Sequence, residues 1–304
     1  MASTPSNVNS AEFTIVQLAG ADDYGVQITN PGLNNWLYEE FDEYTGGLLA
    51  PVIPPAQITQ EPSLTFSGFL NSVNDNHLVG MAINATGSPT YVSANTVVPI
   101  TIGYGRHTTA SQGWATTGCF ATRLNITGRE KQMVQFSADL VGLVTDVATL
   151  TLDTTPTMPE FYPMPKAVFS VGTAFNTVVA KATTLVDFAV ALNTGYSAQQ
   201  FADGAQYYGN ICEGKKVLDF TVTMAYNATS VAEWVKADGG NPSVLHIVLT
   251  STASSTVTIQ AFGYYVPGSW RWERREGKQC LVATLRAYWD ISGGVHEAFE
   301  ITPA

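Results

Sequence analysis

Apolar and polar residues alternate along most of this chain with a period of two, the signature of half-buried β-strands. Between residues 134 and 140, Val134, Phe136, Ala138 and Leu140 share one face, with Gln135, Ser137 and Asp139 on the other. Leu218, Phe220, Val222 and Met224 repeat the pattern against Asp219, Thr221 and Thr223, as do Leu281, Ala283, Leu285 and Ala287 near the C-terminus. The same reasoning predicts strands over 13–18, 78–84, 97–104, 120–126, 168–173, 183–192, 245–250 and 256–266. Helical signal is confined to two places. Residues 230–238 read as a helix capped by Ser230, with Glu233 three residues on and Gly239-Gly240 as the stop. Val231, Trp234 and Val235 form its apolar face. Residues 63–74, where Ser63 precedes Leu64, Phe66, Phe69, Leu70 and Val73, form a second candidate. The expected fold is mainly β.

Residues 1–10 are polar and read as a flexible N-terminus. The proline-rich stretches 51–62 and 156–165 read as connections. Taking the second as a linker divides the 304 residues into two β domains, 11–155 and 166–304, each long enough to bury its own core. An internal repeat follows from the order of elements rather than from residue identity. Each half presents a short helix, a strand containing Leu78 or Leu245, and a strand ending Gly103-Tyr104 or Gly263-Tyr264. A connection bearing Trp114, or Trp270 and Trp272, comes next, then a final alternating strand.

Charge is distributed unevenly. The first basic side chain is Arg106, preceded by nine acids, so residues 1–105 carry −9 of the −11 total. Phosphate binding is driven by Lys and Arg, so the first third is not built to grip nucleic acid or an anionic membrane. Only 13% of residues are charged, against roughly 25% in an average soluble domain. A surface of small polar residues suits a chain that buries much of itself against its own copies.

The search for chemistry finds little. Cys119, Cys212 and Cys280 are widely spaced without a CxxC, which argues for buried free thiols over disulfides or zinc. His77, His107, His246 and His296 lack ligand spacing. No GxSxG elbow or Walker loop occurs, and Gly103-Tyr104-Gly105 lacks the third glycine of a dinucleotide fingerprint. No catalytic, cofactor or metal residue is assigned. The run Glu39, Glu40, Asp42, Glu43 lacks the spacing of a calcium loop, and reads as a solvated or interface-facing acidic loop rather than a glycosidase pair. Three glycosylation patterns carry no weight, because the N-terminus lacks the basic and apolar regions of a signal peptide. No apolar run approaches the roughly 18 residues of a membrane span. The product is expected in the cytoplasm when made, with no membrane partner.

One basic cluster stands out. Residues 270–278 read Trp-Arg-Trp-Glu-Arg-Arg-Glu-Gly-Lys between two strands. Aromatic–basic interleaving serves nucleic-acid stacking, and equally serves an exposed hairpin that docks on an acidic neighbour. The acidic run favours the second reading. The expected subunit contact surface is therefore Glu39, Glu40, Asp42 and Glu43 with Trp270, Arg271, Trp272, Arg274, Arg275 and Lys278.

The segment Gly118-Cys-Phe-Ala-Thr-Arg-Leu-Asn-Ile-Thr-Gly128, followed by Val134 to Gly142, resembles the central strand pair of tail tube (major tail) proteins of long-tailed, siphovirus-like bacteriophages. So does the series 217–225, 230–238, 245–250, 256–266 and 280–290, and the resemblance spans about residues 60–302. It implies two tandem β-sandwich or partial-barrel domains, each with a short helix, whose strands complete an inner barrel. It implies a structural, non-enzymatic virion protein without cofactors. Its rings, of six single-domain chains or three two-domain chains with pseudo-sixfold symmetry, stack into the tail tube. Head-to-tail contacts close rings, whereas ring-on-ring contacts stay open and build a filament. Tape measure and terminator proteins are the implied partners, and double-stranded DNA passes transiently through an acidic lumen. Two alternatives remain: a capsid or decoration subunit, and a carbohydrate-binding β-sandwich using Trp36, Trp114 and the acidic run.

Overall fold

The computed structural model describes residues 15–23, 26–28, 36–39, 56–60, 62–83, 97–105, 112–150, 159–175, 177–199, 210–275, 277–288 and 298–303. The first half contains β1 (Ile15–Leu18), β2 (Ala21–Asp23), β3 (Val26–Ile28), β4 (Trp36–Glu39) and β5 (Ala56–Gln60). It continues with β6 (Ser63–Phe69), α1 (Asp75–Ala82), β7 (Ile100–Gly105), β8 (Gln112–Gly128), β9 (Gln135–Val141) and β10 (Val144–Thr149). After a 3-10 turn at Met164–Lys166 come β11 (Val168–Gly172), β12 (Val179–Ala180), β13 (Leu185–Asn193), β14 (Ser197–Gln199) and β15 (Asn210–Cys212). The chain ends with β16 (Val217–Ala225), α2 (Ala228–Asp238), β17 (Ser243–Thr250), β18 (Thr256–Tyr265), β19 (Arg271–Arg275), β20 (Lys278–Ala287) and β21 (Phe299–Pro303).

Strand pairing, all of it antiparallel, repeats between the halves. In the first, β1 pairs with β2 and β7, β3 with β6, β4 with β5, β6 with β9, and β8 with β7, β9 and β10. In the second, β11 pairs with β12 and β17, β13 with β16, β14 with β15, β16 with β20, and β18 with β17, β20 and β21. The two sets match element for element, and each helix follows the matching strand, β6 or β16. Strand β19 has no separate counterpart. It follows β18 along β20, as the single 17-residue strand β8 runs along β9.

Strand β8 turns between two sheets, with register shifts opposite Ile100/Ile102 and at Ala121/Arg123. Gly118, at a φ of +63° that side chains disfavour, lies in the first irregular stretch. The C-terminal part of β8 then pairs with β13, from Arg123 opposite Asn193 to Gly128 opposite Phe188. One antiparallel sheet thus runs β3-β6-β9-β8-β13-β16-β20-β19 through both halves. Its inward residues, among them Leu64, Phe66, Leu124, Phe136, Leu140, Leu192, Phe220, Ala283 and Leu285, belong to one buried core.

The predicted alternation at 134–140, 217–225 and 281–287 becomes β9, β16 and β20. Two expectations are corrected. Residues 63–74 are not a helix: Ser63–Phe69 is β6. Phe69 mimics helical spacing, but it is 40% exposed and meets Phe161 edge-on at 6.1 Å. The strand expected at 78–84 is not formed, since Leu78–Ala82 lies in α1, and Asn84 lies outside the described residues. A continuous apolar run does not distinguish a buried strand from a buried helix, and here the preceding asparagines decide. The Asn71 side chain accepts from the backbone N–H of Val73 (2.9 Å) and Asn74 (3.1 Å), while Asn74 accepts from that of Asn71 (3.0 Å). These bonds end β6 and turn the chain into α1.

Helix α2 is present but capped and oriented differently from expectation. Asn227 is the N-cap, exchanging bonds of 3.0 and 2.9 Å with Ser230 in a capping box. Val231 and Val235 face outward at 37% and 56% exposure, and the buried positions are Ser230, Glu233 and Ala237. The repeat also has a different phase. Gly103-Tyr104 ends β7, whose counterpart is β17, whereas Gly263-Tyr264 lies in β18, the counterpart of β8 that itself contains Trp114. The described part of segment 156–165 is packed down. Tyr162 is fully buried and accepts from the Val134 N–H at 2.9 Å, and Glu160 accepts from that of Ser72 at 3.0 Å.

Candidate assembly surface

The basic segment 270–278 folds as the hairpin β19–β20, with Arg275 opposite Lys278 and the turn at Gly277, where φ is +80°. Trp270 and Trp272 pack half-buried against the core, Trp272 meeting Tyr226 at 5.4 Å. Arg271 and Arg275 alternate with them on the other face, and Arg271, Arg274, Arg275 and Lys278 are all exposed. The basic residues expected to act together do share one hairpin.

Several have acid partners in the same chain. Arg275 Nη1 donates to Asp187 Oδ2 at 2.6 Å, and Arg275 Nε bonds Glu273. Arg271 lies 3.4 Å from Glu273, and Lys278 lies 3.7 Å from Glu130. Bonding to Glu273, reinforced by the charges of Glu273 and Asp187, raises the Arg275 guanidinium above its already high ordinary value. Asp187 also accepts from the backbone N–H of Glu130 at 3.0 Å, tying the end of β8 to β13. Arg129, Glu130, Asp187, Arg275, Lys278 and Cys280 line a cavity of about 340 Å³ there. Sequence reasoning missed Asp187 and Glu130. Each is an ordinary polar residue in its own segment, and neither neighbours the hairpin in sequence. Of the acidic run, Glu39 ends β4, opposite Ala56 of β5, and Glu40, Asp42 and Glu43 lie outside the described residues.

One end of the eight-strand sheet, β19, belongs to this hairpin, and the other end is β3. Among the described residues β19 pairs only with β20, and β3 only with β6. Such edges present a row of backbone donors and acceptors ready for another strand.

The helix beside it is anchored by a buried carboxylate. Glu233, 1% exposed, accepts from Lys236 Nζ at 2.7 Å, Ser243 Oγ at 2.6 Å and Tyr265 OH at 2.7 Å. The thiols differ in access: Cys119 and Cys280 are buried, and Cys212 is half-exposed. Among the described residues no three His, Cys, Asp or Glu side chains are grouped to hold a metal ion.

These features define a mainly β chain with two topologically equivalent halves and two sheet edges, β3 and β19, that have no further strand partner among the described residues. Residues 16–282 match the family model described as phage tail tube protein, and the chain belongs to that family. It is accordingly a bacteriophage virion component of the tail tube. No curated protein matches the sequence.

Proposed function

We propose that copies of this chain close into rings, and that the rings stack into a tube through which double-stranded DNA passes. The repeated strand pairing carries this reading. A chain holding two equivalent halves, 11–155 and 166–304 on either side of 156–165, supplies two ring positions, so three chains make a pseudo-sixfold ring. The tail is of the long, siphovirus-like kind, and tape measure and terminator proteins meet the tube. Closed head-to-tail contacts set the ring, and open contacts between rings set the filament.

The charge distribution supports a conduit over a binder. Duplex DNA carries about one negative charge per 1.7 Å of axis, so a basic lumen would hold it, whereas an acidic lumen drawing on the −11 net charge repels it weakly and lets it slide. Negative-stain microscopy of the purified chain tests assembly: hollow tubes or stacked rings are expected, and monodisperse monomers over a wide concentration range would refute the reading. Retention of duplex DNA by the tubes at low salt would refute the acidic lumen.

A further inference from the structure

We propose that a second copy of this chain adds its β3 strand, antiparallel, to the outer edge of β19, with Val26 opposite Trp272 and Ile28 opposite Trp270. This joint rests on the ring reading above and specifies the chain-to-chain contact in it.

The evidence is the joint the chain already makes within itself. The sheet β3-β6-β9-β8-β13-β16-β20-β19 is one four-strand unit followed by its equivalent. Strand β13 stands to β16 as β3 stands to β6, and the β18–β19 run stands to β20 as β8 stands to β9. The contact between the units is β8 against β13. Repeating that contact puts β19 of one chain beside β3 of the next, and uses the two edges that have no strand partner among the described residues.

Burial sets the register. The last inward pairs before each helix are Leu70 with Val134, joined by a 2.9 Å backbone bond, and Met224 opposite Leu281. All four side chains are buried. Equating these pairs matches Phe66 with Phe220, hence Ile28 with Val190 and Val26 with Phe188. Across the sheet it matches Gly128 with Trp272, which lies opposite Leu281, and Ile126 two residues back with Trp270. Within the chain Phe188 is opposite Gly128, and Val190 is opposite Ile126. The proposed pairs follow directly, with Gln27 opposite Arg271 between them.

Side-chain size and charge agree. In the internal joint a large residue faces glycine, and a Cβ on Gly128 would collide with the Phe188 ring. In the proposed joint the sizes are exchanged, Val26 facing Trp272. Continued past Trp272, the register carries Arg275 toward Asp23, which precedes β3 in a first third of the chain without basic residues. Opposite charges in that position would orient the approach and select the register.

Residues directly opposite in antiparallel strands have Cα atoms roughly 4.5–5.5 Å apart, within disulfide range. Oxidising the assembled Gln27→Cys/Arg271→Cys chain is expected to give a non-reducing ladder of covalent dimers and larger species. An equimolar mixture of the two single variants should stop at dimers, with the 27–271 link identified by peptide mapping. On the unaltered chain, amide exchange at 26–28 and 270–275 should slow on assembly. Rings or tubes that form without the link, and without slower exchange at both strands, would overturn this joint and leave the tube reading intact. A wild-type chain that never leaves the monomer would overturn the tube reading and the joint with it.

Discussion

Tyr265 on β18 donates its hydroxyl to Glu233 on α2 at 2.7 Å, and this bond holds a carboxylate beneath a helix whose outer face is apolar. Ser243 and Lys236 complete the shell at 2.6 and 2.7 Å. Helix α2 is thus seated by these polar bonds together with the packing of Trp234 and Ala237 on the core, which leaves Val231 and Val235 on the outward face. Replacing Glu233 with Ala strands a buried hydroxyl pair and a lysine, and should lower stability by about 2–4 kcal/mol. Glu233→Gln keeps the shape and one acceptor and should cost less. Urea unfolding of the three chains checks this; equal midpoints for wild type and Glu233→Ala would contradict the anchoring role.

A second buried carboxylate predicts a pH dependence. Asp75 at the start of α1 accepts from Tyr162 at 2.6 Å, and burial raises it above its ordinary 3.8 despite that bond. The folded chain thus binds this proton more tightly than the unfolded chain does. Its contribution to stability is present at low pH and is lost as pH rises from 3.8 through the raised folded value. Asp75→Asn removes the proton and retains an acceptor for Tyr162. Relative to the variant, wild type should lose stability across that interval and run parallel to it at higher pH. A constant difference in urea midpoint from pH 4 to 7 would contradict the assignment.

Much of the fold could be read from alternation alone, because β9, β16 and β20 bury one face each and the period-two signal is undiluted there. Failures came where a local residue disguised its context. An exposed Phe69 lent β6 a helical spacing, and the run Leu78 to Ile83 needed the Asn71–Asn74 turn to declare itself a helix. The basic hairpin was legible because Trp270 to Lys278 is a contiguous exception in a chain poor in charge. Its partners Asp187 and Glu130 were not, since salt bridges between distant segments leave no periodicity. The repeat was visible in order but not in phase: β19 continues β18 where the first half has one strand, and no composition signal marks that break.

Thiol access offers an independent check of the core. Cys119 is fully buried, and desolvation pushes its thiol up to about 12. Burial also raises Cys280. Cys212 is half-exposed and points at Gln199. A thiol reagent at pH 8 should therefore modify Cys212 first and reach the other two only in denaturant, because the thiolate is the reacting species. Above pH 9 the unfolded chain releases the Cys119 proton and the folded chain keeps it, so stability should fall as pH rises from 9 toward 12. Intact-mass and peptide mapping read the order of labelling, and early modification of Cys119 would mean that β8 opens under native conditions.

Charge reversal of the hairpin separates folding from assembly. Arg275 is 42% exposed beside Asp187, so its pair contributes at most about 1 kcal/mol to the monomer. Arg274 and Arg275 both changed to Glu should leave circular dichroism unaltered and lower the melting temperature by only a few degrees. Polymerisation should fall much further, because the two carboxylates would now face the acidic first third of a neighbour. Salt provides the companion measurement. Screening lengths shrink from about 10 Å at 0.1 M to about 3 Å at 1 M, so high salt should weaken wild-type assembly and partly restore that of the variant. Sedimentation velocity across that range reads both. A folded double variant that polymerises like wild type at low salt would show that Arg274 and Arg275 take no part in joining subunits.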